Sequence, residues 1–166
     1  MTTLTTSMVL LAALSGCADD TTPGGADKSL TLNAAKATAQ EMESELASYV
    51  PSESIASIEQ RPYGSLLSCD RERGYQWSGR TDVTYRDGAS VDPQGLVDAI
   101  TAAFGNGDGF RTEPAPTIDG QPGVHVIGQF GAGYLVNENT DRTAVQILSF
   151  SPCFVLPDGM SPSKQY

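Results

Sequence analysis

The chain has 166 residues, 10 of them Lys or Arg and 20 Asp or Glu, for a net charge of −10. That length makes one ordinary domain able to bury roughly two thirds of its unfolded surface, so folding requires neither metal nor dense cross-linking. The acidic balance repels polyanions, and the basic residues stand singly apart from Arg71-Glu72-Arg73, whose own glutamate dilutes it; nucleic-acid binding is excluded as a function class.

Met8 to Leu14 is an apolar run of seven residues, within the range of a signal-peptide core and far short of the ~20 that cross a hydrocarbon layer. Leu14-Ser15-Gly16-Cys17 overlaps its end. An apolar residue, two small residues and a cysteine resemble a bacterial lipobox, in which the signal is cut before the cysteine and the thiol is acylated. The resemblance implies a lipoprotein signal peptide over residues 1–16 and lipidation at Cys17. The domain is then held at the cell membrane through that anchor, facing the extracytoplasmic side. Met1 to Ser7 carries no Lys or Arg, which departs from the positive start of most such signals. No charge precedes Asp19, so the exported part carries the whole acidic excess.

Residues 17–32 combine the lipidated cysteine with Asp, Thr, Pro, Gly and Ser and show no periodicity, which predicts a flexible tether. The remaining 33–166 reads as a single α+β domain. Ala35, Ala39, Met42, Leu46 and Tyr49 alternate spacings of four and three, predicting a helix over about 34–50 with Asn33 as its cap and Pro51 as its stop. Glu41, Glu43 and Glu45 are placed elsewhere on its wheel. Segments 65–70, 74–86, 124–137 and 142–151 are rich in aromatic and β-branched residues and bounded by turn formers, as strands are. Gly128, Gly131 and Gly133 interrupt the third of these, predicting a bulge or a sharply bent hairpin. Asp92 and Pro93 open a second helix over 93–104 that Gly105 closes. Residues 110–118 hold Pro114 and Pro116, which restrict any strand there to a sheet edge. The expected fold is therefore α+β: a mainly antiparallel sheet with two helices packed on one face.

Three cysteines leave an odd count in an exported chain. Acylation of Cys17 would leave Cys69 and Cys153 as a single pair for an oxidising compartment to join, with two separate buried thiols as the alternative. Two such cysteines and one histidine do not make a zinc site, which needs three or four N/S ligands.

Candidate chemistry is sparse. His125, the one histidine, lies in a strand-like run with Val124 and Val126 facing the other way, and no nucleophile elbow or metalloprotease motif accompanies it. Gly105-Asn106-Gly107-Asp108-Gly109 has a calcium loop's alternating oxygens, but Phe104 and Ala115 would fall where carboxylates are required. Acidic pairs such as Asp82 with Asp87, or Asp119 with Glu138, are unspecific among 20 carboxylates. Tyr75, Trp77 and Tyr85 are expected to fill the core rather than line a groove. No catalytic, metal or cofactor residue is assigned.

The lipobox, a strand carrying Cys69, Tyr75-Gln76-Trp77-Ser78-Gly79, the helix opened by Asp92-Pro93, and Phe150-Ser151-Pro152-Cys153-Phe154 together resemble small actinobacterial lipoproteins of uncharacterised function. The likeness covers roughly residues 65–157 and is one of pattern. It implies a helix-on-sheet domain outside the membrane with Cys69 and Cys153 paired, and it carries over no catalytic residue. The function expected first is non-catalytic binding of a partner protein or an envelope ligand. The alternatives are carriage of a small hydrophobic ligand in a cavity between the Ala-rich helix and the Gly-rich strand, and an envelope hydrolase using His125.

Overall fold

In the computed structural model, which describes residues 25–105, 107 and 109–166, one long strand organises the domain. The elements run α1 (Leu32–Ala47), β1 (Ile55–Gln60), β2 (Ser65–Ser68), β3 (Gly74–Tyr85), α2 (Pro93–Phe104), β4 (Arg111–Pro114), β5 (Gly123–Ile127), β6 (Gly133–Glu138), β7 (Ala144–Phe150) and β8 (Phe154–Val155). The sheet order is β1-β3-β7-β6-β5-β4, with every pairing antiparallel. Twelve-residue β3 is the spine. Its N-terminal half pairs with β2 on one side and β8 on the other, and its C-terminal half with β1 and β7.

Alternation along the strands separates two faces. Val83, Tyr85, Val124, Val126, Tyr134, Val136, Val145 and Ile147 point inward to Met42 and Leu46 of α1 and Leu96 and Ile100 of α2. Both helices thus cover one face, as the α+β reading expects. The opposite face carries the row Glu113, His125, Leu135, Leu148 and Arg80, paired in register across β4, β5, β6, β7 and β3.

The caps show why the helices sit where they do. Asp92 accepts a hydrogen bond from the Gln94 N–H at 3.1 Å, Pro93 takes the first position and Gly105 closes α2, as expected. In α1 the cap is Thr31, whose Oγ1 accepts from the Ala34 N–H at 3.2 Å, and not Asn33. Thr31 wins because Leu32 already belongs to the apolar stripe and is buried in the helix. Residues 27–32, which the expected tether included, dock on the domain. The Asp27 N–H donates to the Cys153 carbonyl at 2.8 Å, Asp27 bridges Phe154, and Leu30 and Leu32 pack on the domain. Cys17 and the expected signal segment, residues 1–16, lie outside the described residues.

Two strands escaped the sequence reading. Strand β1 hides little, with Ile58 53% exposed, so it lacks alternation. Strand β8 has two residues. The Gly-rich run is the bent hairpin, β5 and β6 joined by a 3₁₀ turn at Gln129–Gly131.

The core divides in two. Trp77, Leu32, Ala35, Ala39, Leu66, Phe154 and Leu156 form one cluster, and the residues under α2 and the C-terminal half of α1 form the other. Between them lies a buried polar band. Glu43 is fully buried; its Oε2 accepts from Thr81 Oγ1 at 2.7 Å and from Gln60 Nε2 at 3.0 Å, and its Oε1 from the Ser149 hydroxyl. Gly79 makes room for this band, since a Cβ there would fall 2.1 Å from the Trp77 ring and 2.9 Å from Glu43 Oε1. Glu43 therefore belongs to the packed face of α1, contrary to its expected place on the outer wheel.

Candidate functional site

Cys69 and Cys153 form a disulfide, with Cα atoms 6.1 Å apart. It joins the end of β2 to the segment before β8 and makes Cys153 a junction. The Cys153 N–H donates to the Phe130 carbonyl at 2.8 Å, while its carbonyl receives the Asp27 N–H at the same distance. The chain from residue 25, the β5–β6 turn and the β2–β3 turn thereby meet at one point.

Phe130 is bent there into the left-handed region, with φ 50°. A bulky aromatic residue holds such a conformation at a cost of about 1–3 kcal/mol unless its surroundings fix it. Here they do: besides the Cys153 bond, Gln76 Nε2 donates to the Gly131 carbonyl at 2.6 Å, and Gly131 (φ 74°) continues the turn without a Cβ penalty.

Two hollows adjoin at this junction, and Asp27 and Phe130 line both. The first, about 400 Å³, lies between α1 and the β5–β6 turn and is mostly apolar, with Leu30, Met42, Phe110, Ala132 and Tyr134 in its walls. Tyr134 is 1% exposed, and among the described residues no buried side-chain polar atom lacks a hydrogen-bond partner. Burial, reinforced by Glu43, pushes its phenol up to about 12, so it stays a neutral donor and acceptor at physiological pH. The second hollow, about 490 Å³, is bordered by Asp27, Asp70, Glu72 and Lys28. Asp27 accepts from the Ser29 hydroxyl at 2.6 Å and from the Ser29 N–H at 2.8 Å, and these bonds hold its carboxyl below the usual carboxylate range. Asp70 Oδ1 is occupied by the N–H groups of Gly74 and Glu72, at 2.6 and 2.7 Å. A third hollow of about 540 Å³ lies between α2 and the β4–β5 turn, and no buried polar side chain lines it.

The residues singled out by sequence are dispersed. His125 sits on the uncovered sheet face beside Leu135, its ring over Gly133, where a Cβ would fall 2.7 Å from Nε2. Burial holds its imidazole below the ordinary value; Glu113, the cross-strand neighbour, acts in the opposite direction, and Arg111 works with burial. The Glu113 carboxylate is itself bound by Arg111. Among the described residues the imidazole makes no hydrogen bond to a hydroxyl or thiol. Asp82 is held by Arg80, Glu138 accepts from the buried Tyr85 hydroxyl at 2.8 Å, and Asp119 from Thr117 Oγ1, so these carboxylates serve separate local structures. Asn106 and Asp108 lie outside the described residues. Trp77 is fully buried and its indole N–H donates to the Tyr166 carbonyl at 2.8 Å, in keeping with core filling.

Sequence reasoning missed Glu43, Asp27, Phe130 and Tyr134. Only Glu43 had a local signal: it follows Ala39 by four and precedes Leu46 by three, on the apolar stripe. Asp27 and Phe130 are joined through main-chain bonds to Cys153, which leave no trace in side-chain pattern, and Tyr134 is an inward residue of β6 paired with Val126 and Ser149. The chain matches no protein-family model, no curated protein and no solved structure.

Proposed function

We propose that the chain is a cell-envelope lipoprotein, anchored through Cys17, whose domain binds a small ligand in the hollow between α1 and the β5–β6 turn. The observation that carries this reading is the cleft itself, walled mainly by apolar side chains, Leu30, Met42, Phe110 and Ala132, with Tyr134 almost wholly buried among them. A volume of about 400 Å³ falls among ligand pockets, which span roughly 300–1,000 Å³ and use a few polar groups for orientation. The hollow also occupies the gap between the Ala-rich helix and the Gly-rich strand that favours a carrier of a hydrophobic ligand over a docking domain. Gly25, which lines the adjoining hollow, follows Cys17 by eight residues. An extended chain of that length spans at most about 28 Å, so the cleft would stay close to the membrane.

The experiment is native mass spectrometry of the full chain carrying Cys17→Ser, titrated with 1-dodecanol below its solubility limit. One dodecanol should bind per chain, and Thr38→Trp, which places a ring in the hollow from an exposed position of α1, should abolish the adduct. Saturable binding that ignores Thr38→Trp would contradict the reading. The anchor is tested separately: Cys17→Ser should move the protein from the membrane fraction to the soluble fraction, and continued membrane fractionation would refute acylation there.

A further inference from the structure

We infer that the open face of the sheet is an interface between two copies of this chain, stacked face to face about a two-fold axis parallel to the strands and between β6 and β7. Ile127, Leu135, Leu148 and Phe150 stand half-buried on this face and pack into neither core cluster. Leu67, which its register with Gln76 places on the same side, is 43% exposed. In a chain of net charge −10 the charges here are balanced, Arg61, Arg80 and Arg111 standing with Glu59, Asp82 and Glu113, so two equally acidic copies approach through it without net repulsion. The order β1-β3-β7-β6-β5-β4 has three strands on each side of the axis, so a second copy sets β6 over β7, β5 over β3 and β4 over β1. Residues paired in register form a row, and the rotation keeps each in its row. Leu148 then faces Leu135 of the second copy, Phe150 faces Gly133, and Gln146 faces Asn137. Arg61, whose N–H donates to the Arg80 carbonyl at 3.0 Å, extends the row that ends at Glu113, and the rotation brings those two ends together. The face is thus complementary to itself in charge. Six strands about 4.8 Å apart and three rows of side chains make about 600 Å², short of the roughly 800 Å² per partner of a standard stable interface. The dimer is therefore weak and concentration-dependent.

This interface lies across the sheet from α1 and does not depend on the ligand cleft. The test is sedimentation equilibrium of the full chain carrying Cys17→Ser, which removes Cys17 as a route to intermolecular disulfides, at concentrations up to about 1 mM. A monomer–dimer equilibrium is expected, and Leu148→Glu, which sets an unpaired carboxylate against Leu135 of the second copy, should weaken it at least about tenfold. Arg61 and Glu113 keep partners in their own chain, Asp82 at 3.7 Å and Arg111, and their side chains are 60% and 55% exposed, so substitution there spares the fold. Each crossing pair adds up to about fivefold, and symmetry supplies two. Arg61→Glu alone should weaken the dimer about tenfold, and Arg61→Glu combined with Glu113→Arg should restore it to within about threefold. A chain that stays monomeric throughout would overturn the inference and leave the face to a different partner. A dimer indifferent to Leu148→Glu, or one that the double reversal does not restore, would overturn it by placing the contact elsewhere or in another orientation.

Discussion

Replacing Glu43 by leucine would remove the shared acceptor of Thr81, Ser149 and Gln60 from a place water does not reach. Leaving the two buried hydroxyl donors of Thr81 and Ser149 unmatched costs about 1–3 kcal/mol each, so Glu43→Leu should lose at least about 2 kcal/mol in a urea unfolding titration. Glu43→Gln should lose only about 1 kcal/mol, because the amide oxygen still accepts from Thr81 and the hydroxyl of Ser149 can turn to receive its N–H. Equal losses would mean that shape, not hydrogen bonding, holds α1 at this point. His125 offers a second measurement, made clean by its being the chain's one histidine. Because burial holds its folded value below 6.5, the unfolded chain takes up the proton first as pH falls. The stability it contributes is therefore present above pH 6.5 and lost on acidification below it. An NMR titration of the imidazole should give a midpoint under 6.5; a midpoint above it would place the ring in a different environment.

At the scale of elements, legibility followed the physics that acts locally. Helix α2 could be read to the residue because Asp92, Pro93 and Gly105 each satisfy a backbone requirement within one turn. Strand β1 could not be read, because it lies at the sheet edge, where exposed side chains need no alternation. The docking of residues 27–32 was not legible because it depends on a bond to Cys153, more than a hundred positions away. The disulfide fastens those distant segments. Its closed loop spans 84 positions, for which loss of chain entropy predicts a stabilisation of about 4–5 kcal/mol. Reduction, or Cys69→Ala with Cys153→Ala, should lower the melting temperature by on the order of 10 °C in calorimetry. An unchanged melting curve would show that the main-chain bonds around Cys153 hold the junction without it.

For the molecule as a whole, the sheet leaves one face covered by two helices and the other open, and the candidate site lies at neither centre. It forms at the margin, where the end of the covered face meets the disulfide, and its walls come from α1, the β5–β6 turn and the segment beginning at Gly25. The fold class and the cysteine pairing were legible because they follow from periodicity and from cysteine count. The cleft was legible only as a gap between an Ala-rich helix and a Gly-rich strand. Its polar features, Asp27 and Tyr134, carry no distinguishing neighbours in sequence. The open face, with Leu135, Leu148 and Phe150 half-buried, is the competing place for a partner. The central claim is that binding occurs in the cleft, and mapping 1-dodecanol-induced chemical-shift changes on the labelled full chain decides between the two surfaces most directly. The account predicts shifts at the Met42 and Ala132 methyl groups, the Tyr134 ring and the Asp27 amide. Shifts confined to Leu135, Leu148 and His125 would contradict it.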